Sequence, residues 1–437
     1  MRSFPGAELA GRMQVEDRTG GAVVSGFATD SRQIQAGDLY IAIRGERVDG
    51  HDFSTQAFAQ GAAAALVERR VDGSHLLATN VVEALARFGR SLRDEFARPV
   101  IGLTGSAGKT TTKEMLAGAL SPLGTVVRTP GNRNTEYTSP LLWAEVGPET
   151  QAVVVEMAMR GFGQIAHLAR ISKPTVGVIT NVGYSHLLQV GDRAGIVRAK
   201  GELLEALPPG ATCVLPADDD YLPQLREIAG ERPVLTFGFA EAADCRIVEY
   251  RAESLASAHI EGVCGGEPWT LDLPAAGRHL ATNAAAAVLA ASVVGVSPQE
   301  AASGIEGADL PPMRMERRER DGATVLLDAY NAAPNSVLAA IETLIETPVA
   351  GRRLAVLGEM RELGDATDEA HRSVGAAAGR MDDVVFVGET AGLMRGAAGK
   401  GRVGDLDTVR EMIAGLQPGD VVLVKGSRAL GLERALD

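Results

Sequence analysis

The chain has 437 residues, of which 45% are hydrophobic and 23% are charged. These fractions are typical of folded globular proteins and exclude extensive disorder, and at about 150 residues per domain the length predicts about three domains. The formal net charge of −13 argues against broad binding to nucleic acids or anionic membranes, although local donors can still build a small phosphate site.

Strand and helix patterns divide the chain into three segments, which we predict to be domains covering residues 1–97, 98–310 and 311–437. The first segment mixes short apolar strands with alanine-rich helical stretches. In the second and third segments, apolar strands alternate with helical patterns, which predicts α/β domains with mostly parallel sheets. The predicted strands are 22–24, 38–43, 100–103, 152–155, 175–180, 212–215, 324–327, 354–357, 384–387 and 421–424.

Four other features bear on local structure and on the cellular setting. Alternating apolar and polar residues at 244–273 predict a small antiparallel insert. The most apolar stretch, 281–296, is too short to span a bilayer, so we expect a buried helix there. Cys213, Cys245 and Cys264 are odd in number and lack metal-type spacing, and the first eleven residues lack the apolar run of a signal peptide. We therefore expect a cytoplasmic protein without membrane insertion.

A glycine-rich loop, Thr104-Gly-Ser-Ala-Gly-Lys-Thr-Thr111, follows the strand at 100–103 and precedes a helical pattern. Such a loop lets backbone N–H groups converge on phosphate oxygens at a helix N-terminus. Leu103 stands where the strict P-loop pattern has its first glycine. We predict that the Lys109 ammonium reaches the β- and γ-phosphates of ATP and that the Thr110 hydroxyl binds Mg²⁺. The predicted phosphate-binding residues are Gly105, Ser106, Ala107, Gly108, Lys109, Thr110 and Thr111.

Two polar residues follow strands of the same predicted sheet. Glu156 ends the strand at 152–155, and His186 follows the strand at 175–180. Because parallel strands end at one edge of a sheet, both are candidates to face a nucleotide-bound Mg²⁺. The alternatives are a solvated strand-end carboxylate and a structural histidine.

Lysine occurs at only six positions, and arginine supplies nearly all of the positive charge. A lysine amine can lose its proton and react, which a guanidinium cannot do, so specific roles are expected at some of these positions. Lys200 lies in a helical pattern close to His186, but Lys followed by Glu is also ordinary on an exposed helix face. The six are Lys109, Lys113, Lys173, Lys200, Lys400 and Lys425.

Together these motifs resemble the Mur ligase family, the ATP-dependent amide-forming enzymes of peptidoglycan precursor synthesis. The resemblance covers nearly the whole chain in the correct order. Besides the phosphate loop, Glu156 and His186, it rests on Asp30-Ser-Arg32, Asp49-Gly-His51, Ala199-Lys-Gly-Glu202, Gly277-Arg-His279, Asn283, Asp328-Ala-Tyr-Asn331, Gly358-Glu-Met-Arg-Glu-Leu-Gly364, His371 and Lys425-Gly-Ser-Arg428.

The resemblance implies a uridine-nucleotide-binding domain, a central P-loop ATPase domain and a Rossmann-like C-terminal domain. The pattern is closest to the member that joins D-alanyl-D-alanine to UDP-N-acetylmuramoyl-tripeptide, and the family suggests a monomer. Lys109, His186 and Lys200 would be catalytic, with Lys200 carrying a carbamate formed from CO₂. Two Mg²⁺ ions would be held by Thr110, Glu156, His186 and Lys200. Asn283, Arg314 and Asp328 would contact ATP, and the substrate residues would be Ser31, Arg32, Asp49, His51 and Asn331.

Some positions depart from the family pattern, and two other functions stay open. Ala107, Leu280, Met313 and Ala333 stand where the family usually has other residues, which concerns peripheral contacts. A folate-polyglutamating ligase would share the ATPase and C-terminal domains but lack the motifs of the first segment. A non-catalytic P-loop protein would not need Glu156, His186 and Lys200 together. Lys425 is a candidate substrate contact, Lys113 is family-like with an ordinary solvated lysine as the alternative, and Lys173 and Lys400 are given no role.

Overall fold

The first sheet lies within the N-terminal segment. The computed structural model describes residues 2–45 and 48–436. Five strands have the spatial order β2-β7-β6-β5-β4, and β1 pairs with β3 in a separate short ladder. The elements are β1 (Phe4–Pro5), α1 (Gly6–Met13), β2 (Glu16–Arg18), β3 (Val23–Val24), β4 (Gly26–Ala28), β5 (Asp38–Ile41), α2 (Ser54–Ala59), β6 (Ala64–Val67), β7 (His75–Leu77) and α3 (Val81–Arg93).

The N-terminal segment shares a hydrophobic core with the segment that follows it. Helix α3 begins after Asn80, whose side chain accepts the N–H of Glu83 at 2.9 Å and so caps the helix. Phe88 on its buried face packs edge-on against Phe4, with ring centroids 5.4 Å apart. The same core continues to Trp143 of the 3₁₀ helix Ser139–Glu145. The first sheet is therefore attached to the central one by buried apolar contacts.

The central sheet has nine strands in the order β16-β15-β14-β13-β12-β11-β8-β10-β9. Strand β8 and strands β9 to β14 run parallel, and β15 is antiparallel to its two neighbours, β14 and β16. Helices α4, α9 and α10 cover one face, and α5, α7 and α8 cover the other. The elements are β8 (Val100–Thr104), α4 (Lys109–Ala119), β9 (Thr125–Arg128), β10 (Thr150–Glu156), α5 (Gln164–Ser172), β11 (Val176–Ile179), α6 (Leu187–Val190), α7 (Arg193–Glu205), β12 (Thr212–Pro216), α8 (Leu222–Ala229), β13 (Val234–Gly238), β14 (Cys245–Ser254), β15 (Ser257–Cys264), β16 (Glu267–Leu273), α9 (Arg278–Val293) and α10 (Pro298–Glu306).

The C-terminal sheet has six strands in the order β17-β18-β22-β19-β20-β21, and β17 alone is antiparallel to its neighbour. Helices pack on both of its faces. The elements are β17 (Glu316–Arg320), β18 (Ala323–Leu327), α11 (Pro334–Glu346), β19 (Arg353–Gly358), α12 (Thr367–Ala378), β20 (Asp383–Val387), α13 (Ala391–Ala398), β21 (Arg402–Gly404), α14 (Leu406–Ala414) and β22 (Val421–Lys425).

The predicted α/β fold is confirmed, together with its mostly parallel sheets. The antiparallel insert at 244–273 is β14 to β16, and the apolar stretch at 281–296 lies largely within the buried helix α9. The three cysteines are free and buried. Each sheet falls within one predicted segment, but the boundaries after 97 and 310 stay predictions. No helix in the described ranges has the length and apolar character needed to cross a membrane.

Strand order places three loops side by side. In the central sheet β8 lies between β10 and β11, with Glu156 paired in register to Leu103 and Ile179 to Thr104. The phosphate loop leaves the carboxyl end of β8, so it is flanked by Glu156 on one side and by the 180–186 segment on the other. This edge is where parallel α/β sheets place their ligands.

Candidate active site

Two glycines give the phosphate loop its shape. Gly108 precedes helix α4 with φ of 79°, in the left-handed region, and a Cβ there would lie 2.7 Å from Oδ1 of Asn283. A Cβ on Gly105 would lie 1.8 Å from Oγ1 of Thr180. Neither position admits a side chain without displacing its neighbours. The loop therefore lies close against α9 and the end of β11, with its N–H groups at the start of α4.

Residues 181–185, which follow β11, hold the phosphate loop in place through hydrogen bonds. The Asn181 side chain accepts the N–H of Ala107 and donates to its carbonyl, both at 3.0 Å. The Ser106 hydroxyl accepts the N–H of Gly183 at 2.8 Å, and the Ser185 hydroxyl donates to the Ser106 carbonyl at 3.0 Å. Because these bonds to Ala107 use only its backbone, the departure from the family pattern at this residue leaves them intact.

Glu156 stands beside the first turn of α4. Its Oε1 accepts from the Thr110 hydroxyl at 3.3 Å and from Asn134 Nδ2 at 2.8 Å. Its Oε2 is buried and has no hydrogen-bond partner within the described residues. The Lys109 ammonium donates to the Gly105 carbonyl at 2.7 Å. A buried carboxylate oxygen with a free acceptor, next to a threonine hydroxyl, is a donor set that suits Mg²⁺.

For Lys113, the alternative of an ordinary solvated lysine is wrong. Its side chain is fully buried, and Nζ donates to the Gly131 carbonyl at 2.8 Å. Carboxylate oxygens of Glu114 and Glu156 lie 3.1 Å and 3.7 Å from the same nitrogen. One helical turn after Lys109, this second cation therefore lies behind the candidate metal ligand. A lysine this deeply buried is rare, so its sequence position alone favoured the exposed interpretation.

His186 adopts a left-handed backbone conformation, with φ of 66°. Its Nδ1 lies 2.6 Å from Oε2 of Glu362, which belongs to the C-terminal segment. Burial lowers the pKa of His186, the charge of Lys109 lowers it further, and Glu362 opposes the shift. The charge of Lys200 also lowers the pKa of His186, so both lysines are close enough to this imidazole to influence it.

Lys200 lies on α7 with its side chain almost completely buried, so the exposed-face interpretation is wrong. Neither an ion pair nor a hydrogen bond to its ammonium is found among residues 2–45 and 48–436. Burial lowers its pKa well below the ordinary value, and the charge of Lys109 lowers it further. A neutral buried amine is the form that reacts with CO₂, so this residue fits the expected carbamate.

Residues of the C-terminal segment close the other side of a cleft of about 350 Å³. Arg314 donates to Oγ1 of Thr110 at 3.0 Å, and its guanidinium lies 4.3 Å from the ring centroid of Tyr330. Asp328 forms a 2.6 Å ion pair with the buried Lys425. The cleft is also lined by Ser106, Ala107, Gly108, Lys109, Thr111, Asn132, Asn134, Glu156, Asn181, His279, Asn283, Asn331, Asn335 and Ser336.

Most of the predicted nucleotide residues therefore meet in one cleft. Sequence reasoning gave no role to Asn134, which holds Glu156. It also gave none to Glu362, whose contact with His186 crosses 176 positions of sequence. His279 was noted only as part of a motif. It is half-buried in the cleft wall, and desolvation lowers its pKa to about 4.

The candidate substrate residues of the first segment form a separate cluster around Tyr40. Burial raises the pKa of Tyr40 to about 12, with further contributions from Asp30 and Asp49. Arg32 is largely exposed and pairs with Asp30 through two bonds of 2.7 and 2.9 Å. Asp49 accepts from His51, whose other ring nitrogen accepts the N–H of Glu68 at 2.8 Å. His51 is thus fully engaged within the protein, whereas Arg32 projects into solvent. Ser31 is buried and donates to the Gln56 side chain at 3.3 Å.

Comparison with known protein families gives matches to all three segments. The profile of the Mur ligase family catalytic domain matches residues 23–89. The Mur ligase middle domain matches residues 103–291, and the glutamate ligase domain of Mur ligases matches residues 313–428.

Individual relatives match over nearly the whole chain. The UDP-N-acetylmuramoyl-tripeptide–D-alanyl-D-alanine ligase of Synechocystis is 38% identical over 94% of this chain and 90% of its own. Among solved structures, MurF from Acinetobacter baumannii superposes with a TM-score of 0.92 at 31% identity, covering 100% of this chain and 98% of that one. MurF ligase from Thermotoga maritima in complex with ADP has a TM-score of 0.83 at 31% identity, covering 94% and 96%. The chain belongs to the Mur ligase family.

Proposed function

We propose that the protein is an ATP-dependent amide ligase that joins D-alanyl-D-alanine to UDP-N-acetylmuramoyl-tripeptide, giving the pentapeptide precursor of peptidoglycan. The observation that carries this proposal is the convergence of the phosphate loop, Glu156 and Arg314 on one cleft. The relatives that match nearly the whole chain bear the name of this ligase.

Amide formation from a carboxylate needs a better leaving group than oxide. In the proposed reaction, the γ-phosphoryl group of ATP moves to the terminal carboxylate of the tripeptide, giving an acyl phosphate and ADP. The amine of the dipeptide then attacks the carbonyl carbon, and inorganic phosphate leaves as the amide bond forms. The amine gives up its proton in this step, so one amide, one ADP and one phosphate are produced.

The phosphate loop holds the triphosphate during this transfer. Its N–H groups and the Lys109 ammonium bind phosphate oxygens and offset the charge that builds up as two anions approach each other. The two hydrogen bonds between the Asn181 side chain and the Ala107 backbone keep the loop in this conformation before ATP binds, so little reorganisation is needed.

We propose that Thr110, Glu156, His186 and carbamylated Lys200 hold two magnesium ions. Oε2 of Glu156 accepts no hydrogen bond within the described residues and lies 3.7 Å from the Lys113 ammonium, and the amine of Lys200 is buried; both observations support this assignment. Bound Mg²⁺ would neutralise charge on the phosphates and on the attacking carboxylate. The amine of Lys200 can become a carboxylate-like oxygen ligand only through carbamylation, which an arginine could not undergo.

The C-terminal segment completes the site. Arg314 is bonded to Thr110 at the start of α4, which places its guanidinium beside the phosphate loop. Asp328, held by Lys425, lies in the same wall of the cleft as Asn331. We propose that these residues close on ATP and exclude water, which would otherwise hydrolyse the acyl phosphate. Because Lys425 is already paired with Asp328, we assign it an orienting role.

The first segment supplies the uridine-nucleotide site in this proposal. Arg32 is an exposed cation of the Tyr40 cluster and our candidate for a diphosphate or uracil contact. Ser31, Asp49 and His51 would shape the pocket around it, whereas Asn331 lines the nucleotide cleft and would contact the substrate there. We further propose three domains with boundaries after residues 97 and 310, a monomeric enzyme and a cytoplasmic location.

The proposal is tested by incubating the protein with ATP, Mg²⁺ and pairs of acceptors and donors, with mass detection of products. We expect pentapeptide from UDP-N-acetylmuramoyl-tripeptide and D-alanyl-D-alanine, formed together with ADP. Product from a folate and glutamate, or from shorter muramoyl acceptors in place of the tripeptide, would contradict it.

A further inference from the structure

One contact joins the candidate metal site to the C-terminal segment without involving the nucleotide. Oε2 of Glu362 lies 2.6 Å from Nδ1 of His186, and the backbone N–H of Leu188 donates to the Glu362 carbonyl at 3.1 Å. Glu362 belongs to the motif Gly358-Glu-Met-Arg-Glu-Leu-Gly364, to which the proposed mechanism gives no role.

The loop that carries Glu362 is anchored firmly within its own segment. The buried ring of His371 accepts the N–H of Met360 at 2.9 Å through Nε2, and its Nδ1 lies 2.6 Å from the Thr367 carbonyl. The neighbouring Glu359 accepts the N–H of Glu389 at 3.0 Å. Glu362 therefore moves with the C-terminal sheet.

Both partners of the contact have an uncommon backbone conformation. His186 and Glu362 have φ of 66° and 62°, and side-chain-bearing residues rarely enter this left-handed region. Such conformations persist where surrounding contacts fix them, often at functional sites. Here they bring the tips of two loops from different sheets together.

We infer that Glu362 is a positioning residue that orients His186 for metal binding and makes completion of the metal site depend on docking of the C-terminal segment. An ionised carboxylate can only accept a hydrogen bond, so Nδ1 of His186 must carry the proton. The lone pair of the neutral ring then resides on Nε2, for which no hydrogen bond is found within the described residues. A carboxylate behind a ligating histidine fixes its tautomer and ring orientation.

This inference rests on the proposed function, because it assigns metal binding to His186. It adds that a group 176 positions away in sequence prepares the ligand. With the C-terminal segment undocked, His186 would lack its acceptor, so the metal site would be incomplete.

The test uses the full-length protein with nitrogen-labelled histidine and the variants E362A and E362Q, with E411Q as the control. Glu411 is an exposed glutamate of α14 in the same segment. The His186→Ala spectrum assigns the His186 signals among the seven histidines. We expect His186 to be in the Nδ1–H form in the wild type, in E362Q, whose amide oxygen still accepts, and in E411Q. In E362A we expect a mixture of the two tautomers.

Kinetics give the second measurement. The Mg²⁺ concentration for half-maximal rate should rise by about 10–100-fold in E362A, rise less in E362Q and stay unchanged in E411Q. An unchanged tautomer in E362A, or a wild-type Mg²⁺ dependence in that variant, would overturn the inference. The tautomer is measured without substrate, so a protein that shows the expected tautomers but makes no pentapeptide would contradict the proposed function while confirming that Glu362 orients His186.

Discussion

The guanidinium of Arg314 donates a 3.0 Å hydrogen bond to the hydroxyl of Thr110, linking the C-terminal segment to the helix that begins at the phosphate loop. Tyr330 stacks on the same guanidinium at 4.3 Å and restricts its position. The residue that closes the cleft and the residue expected to bind metal are thus in direct contact.

Replacing Arg314 should therefore impair catalysis more than folding. We expect R314A to lower kcat by about 100–1,000-fold, because a preorganised cation at the phosphates is lost. R314K should recover little activity, since an ammonium lacks the planar fork that both donates and stacks. Steady-state phosphate release measures the effect, with R317A, at an exposed arginine of β17, as the control. A loss of less than about threefold in R314A would argue against a role in closure.

Lys113 offers a test of stability at the same site. K113M keeps the length of the side chain but removes the charge beside Glu114 and Glu156 and leaves the Gly131 carbonyl unpaired. Breaking a buried ion pair by removing one partner costs about 3–5 kcal/mol, so the thermal unfolding midpoint should fall by about 3–5 °C if the 437-residue chain unfolds as one unit. K400M, at an exposed lysine, is the matched control and should change the midpoint little. Equal midpoints for the two variants would refute the buried network.

If Lys200 carries a carbamate, arginine cannot replace it, because a guanidinium does not form a carbamate. We expect K200A and K200R to lose at least about 100-fold in rate, because a metal ligand is missing. A short carboxylate such as acetate should partly restore K200A, where the space for it exists, and should not restore K200R. Isotopically labelled bicarbonate should give a carbamate signal in the wild type that K200A lacks. Full activity of K200A without added carboxylate would contradict the assignment.

Replacing Arg32 tests whether this residue binds the UDP-linked substrate and not ATP. R32A should raise KM for the UDP-linked substrate by about 10–100-fold, the value of one or two charge-assisted hydrogen bonds. KM for ATP should not change, because Arg32 does not line the nucleotide cleft. R70A removes another exposed arginine of the first segment and serves as the control. Equal effects on both KM values would show that Arg32 acts through the fold.

Asp420 supports the strand that carries Lys425 and predicts a pH dependence of stability. Its hydrogen bonds from Arg352 and from the N–H of Gln417 hold its pKa at about 2, below the ordinary 3.8. A carboxyl with a lowered pKa stabilises the fold above its ordinary pKa, and that contribution is lost as pH falls from about 4 to about 2.

We therefore expect D420N to be less stable than the wild type by about 1–2 kcal/mol near neutral pH, since the half-exposed Arg352 is partly screened by solvent. Thermal unfolding at several pH values should show this difference shrinking towards pH 2. D407N, in an exposed ion pair with Arg410, should behave like the wild type. A difference between D420N and the wild type that does not depend on pH would contradict the account.

The fold and the phosphate-binding part of the site could be predicted because both follow from patterns within short stretches of sequence. Short apolar strands alternating with helices define a parallel sheet, and its strand ends brought Glu156 beside Lys109 and Thr110. Contacts between distant residues carry no such pattern. The bond between His186 and Glu362 depends on how two sheets dock. The sequence left a solvated Lys113 open, because two of its partners, Gly131 and Glu156, follow later in the chain. The domain boundaries and the roles of individual site residues stay predictions.

The central step of the proposed reaction is activation of the tripeptide carboxylate by phosphoryl transfer. The direct measurement uses UDP-N-acetylmuramoyl-tripeptide whose terminal carboxylate carries heavy oxygen, with ATP and D-alanyl-D-alanine, and mass analysis of the released phosphate. The acyl-phosphate route predicts one labelled oxygen in each phosphate for every pentapeptide formed. Pentapeptide accompanied by unlabelled phosphate would contradict it.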